Sequence, residues 1–111
     1  MKSIALLVLG ASMATAVTAH AATEDWKQQF AHASDEFFDQ VYFHFNPSGG
    51  TQVGYHQYDN QLEDYSQANI RAEIAALKTF EARIEAIHPD PSPADFVPRS
   101  DREMMLSTIR S

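Results

Sequence analysis

The side chains here best able to do chemistry are imidazoles and carboxylates: five histidines and fifteen acids, with no cysteine. Zinc held on a helix needs two ligands one turn apart with a carboxylate nearby, the spacing of His-Glu-x-x-His. His32 and His44 stand twelve residues apart, so no such pair exists. His56 with Asp59, Glu63 and Asp64 is the one local cluster of imidazole and hard oxygen ligands. Around a turn it would hold a metal weakly, and solvated acids account for it as well. His56 is therefore expected to hydrogen-bond its own loop or to line a cleft, with Tyr58 and Asp59 beside it.

Other chemistries find less. There is no Gly-x-Ser-x-Gly elbow, and without cysteine a triad would rest on unmarked serines. Gly49-Gly50 is too short to cradle a phosphate and lacks a following Lys-Ser/Thr. Met104 or Met105 could pair with His88 on a haem iron, but covalent attachment is excluded without Cys-x-x-Cys-His. Methionines on an apolar helix face are in any case more often core. The aromatic run Phe37, Phe38, Tyr42, Phe43 and Phe45 fits core packing better than a ligand box. No catalytic, cofactor-binding or metal-ligating residue is expected in the chain.

The elements that must position these residues are helices. The first is expected over residues 24–45, capped by Thr23, with Glu24 and Asp25 against the positive end of its dipole. Trp26, Phe30, Ala33, Phe37, Phe38, Val41, Tyr42 and Phe45 spread over about half its circumference, wider than the ~100° stripe of an ordinary surface helix. Such an arc needs partners on more than one side. Phe43 alone falls among the polar positions. Residues 46–50, Asn-Pro-Ser-Gly-Gly, read as a turn. Residues 51–65 show no sustained period and read as an ordered loop or short extended piece.

The second helix is expected over residues 66–87 with Ser66 as cap. Ile70, Ile74, Leu77, Phe80, Ile84 and Ile87 recur at steps of four and three. Ala68, Ala72, Ala75, Ala82 and Ala86 line the opposite side, as good helix formers or as a face small enough for close helix approach. Three prolines within residues 89–93 end this helix. A third is expected over residues 100–110, opened by a Ser100/Glu103 capping box.

The front of the chain reads as an export signal. Lys2 precedes an apolar run over residues 4–17, and Ala19 and Ala21 occupy the positions a signal peptidase reads. About fourteen apolar residues fall short of the ~20 that span a bilayer. Cleavage is expected between Ala21 and Ala22, giving a periplasmic or secreted product. Loss of Lys2 takes the net charge from −7 to −8. That acidity disfavours nucleic acid and anionic membrane surfaces as partners.

Gly54, His56, Tyr58, Asp59, Leu62, Asp64 and Ser66, followed by the Ile/Leu-spaced helix, Ser92-Pro93-Ala94-Asp95 and Asp101-Arg102-Glu103, carry a likeness to a known family. The chain resembles the amino-terminal region of the bacterial proteins called domain of unknown function 885. The resemblance implies a mostly helical, exported protein several times longer, similar to a zinc-dependent peptidase whose His-Glu metal motif lies far toward the carboxyl end. That motif is absent here, so no zinc ligand or general base carries over to this chain. The reading is an all-α, incomplete bundle without catalysis of its own. Its expected partners are later helices of a parent protein or a second copy of itself. The alternative is a small stand-alone periplasmic binding or chaperone-like module.

Overall fold

The computed structural model describes residues 25–111. The expected leader, its Ala21–Ala22 cleavage point and Thr23 lie outside the described residues. The fold is all-α, with no strand among the described residues.

Helix α1 spans Trp26–Phe37. Its cap is Asp25, one of the two acids assigned only to the dipole, whose carboxylate accepts the Gln28 N–H at 2.9 Å. Trp26, Phe30, Ala33 and Phe37 recur on one face and are buried. The first helix continues to Phe45 as expected, but not with one pitch throughout. The chain widens into a π-helical segment over Phe38–Tyr42 before a last α turn, α2, over Phe43–Phe45. The Phe43 N–H reaches back five residues to the Phe38 carbonyl. One extra residue in a turn rotates everything beyond it by about 100° relative to a straight α-helix. Phe43 thereby leaves the polar row and stacks on Tyr55, with ring centroids 4.7 Å apart.

Residues 46–50 do not form the expected turn. They begin a short helix, α3, over Pro47–Gln52. Proline is compatible with the first helical position, where its missing N–H costs nothing. The glycine at position 50 fits a close approach, since a β-carbon there would stand 3.2 Å from both the Tyr55 carbonyl and the Phe43 ring. The following loop is ordered, with a 3-10 turn at His56–Tyr58 in place of an extended piece. Gly54, at φ +85°, makes the sharp change of direction between them.

Helix α4 spans Gln67–Glu85, and its Ser66 cap accepts the Asn69 N–H at 3.2 Å. Its apolar stripe divides in two. Phe80, Ile84 and the following Ile87 are buried, whereas Ile70 and Ile74 are 42% and 47% exposed. Helix α5 spans Phe96–Arg110 and starts four residues before the expected Ser100. A 3-10 turn at Pro93–Asp95 feeds it, and Pro98 falls in its first turn, where orphan N–H groups make proline harmless. Glu103 does not close a capping box; it pairs with the neighbouring Arg102.

The core lies where α1, the second half of α4 and α5 meet, joining Phe30, Phe37, Val41, Phe80, Ile84, Leu106 and Ile109. Ion pairs edge it: Glu36 with Arg83 between α1 and α4, and Arg110 with Glu81 and Glu85 between α5 and α4. Lys27 reaches Asp95 at 3.1 Å. Arg102 lies across the end of α4 and donates to the Ile87 carbonyl at 3.0 Å and the Glu85 carbonyl at 3.3 Å. Both carbonyls belong to the negative end of the helix, so the guanidinium serves as a cap supplied from another helix.

Candidate functional site

Two neighbouring concavities share the exposed Phe38 ring. The first is a groove of about 350 Å³ between α1 with its π segment and α5, lined by Phe30, Phe37, Phe38, Tyr42, Met104 and Met105 together with Ser34, Asp101 and Thr108. Phe30 and Phe37 are its buried floor. Phe38, Tyr42 and Met104 stand on its walls, 41%, 42% and 68% exposed. The π turn positions the two aromatic walls: Phe38 opens it, Tyr42 closes it, and their rings meet edge to face at 5.6 Å.

The second concavity, about 480 Å³ and more open, is lined by Asp35, Glu36, Phe38, Asp39, Tyr55 and Gln57. Its back wall is a clamp between the π turn and the loop after α3. The Tyr55 hydroxyl donates to Asp39 Oδ1 at 2.6 Å, and the Tyr58 hydroxyl donates to the Asp39 backbone carbonyl at 3.0 Å. His44 adds an edge-on contact to the Tyr58 ring at 5.6 Å. The hydrogen bond to Asp39, helped by partial desolvation and the carboxylate's charge, pushes the Tyr55 phenol up to about 12. Tyr58 is raised too, by desolvation first and then by the Asp39 charge. A phenol held protonated in this way is a fastener and not a base.

The loop residues singled out in the sequence come together as internal struts. His56 Nδ1 lies 2.8 Å from Asp59 Oδ2, and the Thr51 hydroxyl donates to Asp59 Oδ1 at 2.6 Å. The Thr51 bond, and then His56, hold the Asp59 carboxyl below its usual range. Glu63 faces elsewhere, accepting from the Ser48 hydroxyl and, at 2.9 Å, from the Ser48 N–H. Those bonds hold its carboxyl low as well. Asp64 accepts the Ser66 N–H at 2.8 Å. The four potential ligands His56, Asp59, Glu63 and Asp64 thus serve three separate local groups of bonds, and no metal-ligating group of three or more forms among the described residues.

Met104 and Met105 line the groove, whereas His88, just past the end of α4, is not among its lining residues. The aromatic run divides three ways: Phe37 enters the core, Phe38 and Tyr42 line the groove, and Phe43 stacks on Tyr55. Asp39, which reads in sequence only as one of the polar positions of helix one, is the hub of the clamp. The available signal was a pair of tyrosines three residues apart beside a positive-φ glycine, which needs an acceptor once folded against a helix.

Comparison with known proteins found no matching family model, no matching curated protein and no matching solved structure. No described helix is long and apolar enough to cross a membrane.

Proposed function

We propose that this chain is a non-catalytic helical docking region, in which the α1/α5 groove receives an apolar helix and the tyrosine clamp holds the π turn in shape. The observation that carries the reading is the groove itself. Three large apolar side chains on its walls remain exposed around a floor already buried in the core. Such a surface is met by a helix presenting anchors at i, i+3 or i+4 and i+7. The bond pattern of His56, Tyr58 and Asp59 supports a structural role for that loop. In the context suggested by the family 885 resemblance, the docking helix belongs to the same longer exported polypeptide, and this region is its front scaffold.

A second reading, a free-standing periplasmic binding module, is favoured by one specific observation: three helices already share a continuous core closed by ion pairs on its edges. Sedimentation and thermal melting separate the two. A sharp melt of a well-folded monomer or dimer that helical peptides leave unmoved supports the module, and a broad melt that such a peptide sharpens and raises supports the scaffold.

Docking is tested by titrating the chain with amphipathic helical peptides. Saturation at one peptide per chain with a raised melting temperature is expected, because a ligand of the folded state stabilises it by mass action. A melting temperature unmoved by peptides of either charge sinks the docking reading. Export is tested by sequencing the amino terminus of the product, which should begin at Ala22.

A further inference from the structure

Charge surrounds the groove unevenly, and the unevenness specifies the helix that fits it. The groove lining contains one charged side chain, Asp101. The adjoining concavity across Phe38 contains three: Asp35, Glu36 and Asp39. No lysine, arginine or histidine lines either one. Glu36 is committed to Arg83, and Asp39 to the tyrosine clamp. Asp35 and Asp101 are exposed. They flank the apolar walls, Asp35 on the α1 side and Asp101 on the α5 side.

We infer that the partner of this groove is a cationic amphipathic helix. Its apolar stripe would seat on Phe38, Tyr42 and Met104, and its lysines or arginines would overhang Asp35 and Asp101. The inference rests on the docking reading above and names the chemistry of its partner.

Three features favour this occupant over others. Two facing helices leave a valley between their side-chain ridges, which a third helix fills by ridge-into-groove packing. Methionine and aromatic walls adapt to varied apolar anchors, as in other helix-accepting grooves. A second copy of the chain fits poorly: in a two-fold contact through this groove, Asp35 and Asp101 would face like charges, on a chain whose net charge is already −7.

The test uses the full chain and two synthetic helical peptides with the same leucine stripe, one carrying lysine and the other glutamate at every polar position. Calorimetric titration is expected to show the lysine peptide binding at least about tenfold more tightly, with the preference shrinking as salt rises. Asp35→Asn with Asp101→Asn should remove most of the preference, and Met104→Asp, at an exposed position, should abolish binding of both peptides.

If both peptides bind equally and Met104→Asp abolishes both, the groove accepts helices but the cationic inference is overturned. If neither binds, the docking reading itself falls. A lysine preference that survives the double aspartate change would trace to net charge and overturns the assignment to this rim. Lysine-peptide binding that Met104→Asp leaves intact overturns the assignment to the groove. A chain that sediments as a dimer until Met104→Asp is introduced identifies a second copy as the occupant, against the inference.

Discussion

The two halves of α4 are built from the same repeat and meet different fates. In the second half, Phe80, Ile84 and Ile87 enter the core with α1 and α5, ion pairs join the edges and Arg102 closes the end. In the first half, Ile70 and Ile74 continue the stripe into solvent, and the alanines at positions 68, 72 and 75 are exposed as well. Just upstream, Leu62 and Tyr65 are 84% and 80% exposed. The lesson is that an amphipathic period reports a helix's intention to pack, whereas burial needs a partner within reach. The loop beside the open half is nonetheless ordered, by a different means: hydrogen bonds from tyrosine, threonine and serine side chains to carboxylates.

The contrast breaks or sharpens most directly at paired isoleucines. Ile84→Ala, at a position with 0% exposure, should cost about 2–5 kcal/mol. Ile74→Ala should stay within about 0.5 kcal/mol, as expected of a surface site. Urea unfolding followed by circular dichroism checks both, and equal losses would erase the distinction between the halves. Next in size is Arg102→Ala, which strips two carbonyls of their donor and should cost about 1–3 kcal/mol. Arg102→Lys should recover only part of it, since one ammonium cannot reproduce the guanidinium fork.

Gly54→Ala forces an L side chain into φ +85° and should cost about 1 kcal/mol. Its effect should appear as faster amide exchange over residues 47–59, with the core amides unchanged. The smallest effects are those of pH. Tyr55, raised from 10.0 to about 12, stabilises the fold fully below pH 10, and that contribution fades as pH climbs toward 12. Glu36, Asp59 and Glu63 are shifted the other way. Their contribution is present above the ordinary carboxylate range and is lost as pH falls below about 4. Tyr55→Phe should reduce the alkaline limb to the share that Tyr58 contributes and leave the acid one in place.

Much of this architecture was legible in the residues. The Ser66 cap, the α4 period and the proline stop after it follow from local rules, and local bonds realise them in the fold. The wide apolar arc of the first helix divides: Trp26, Phe30, Ala33, Phe37 and Val41 enter the core, while Phe38 and Tyr42 stay exposed at the groove. What was not legible depended on contacts distant in sequence. Ser100 and Glu103 fit a capping box, yet the helix begins at Phe96, directly after the Pro93–Asp95 turn, whose Asp95 meets Lys27 from 68 residues away. The π turn leaves no pattern of its own, and its trace was the misplacement of Phe43. Asp39 looked like one solvated acid among several until two tyrosines folded onto it. His56, Asp59, Glu63 and Asp64 formed a cluster along the chain, but each took the nearest donor, and the cluster dispersed.

Trp26 is the chain's only tryptophan, it is 7% exposed, and its indole nitrogen has no hydrogen-bond partner among the described residues. Its emission is therefore a native reporter of one neighbourhood: blue-shifted while the start of α1 stays in the core, red-shifted once water reaches it. The exposed half of α4 and the tyrosine clamp contribute nothing to that signal. A melt of the open half would pass unseen in the fluorescence while ellipticity fell, and a gap between the two curves would measure how far one end of this molecule unfolds without the other.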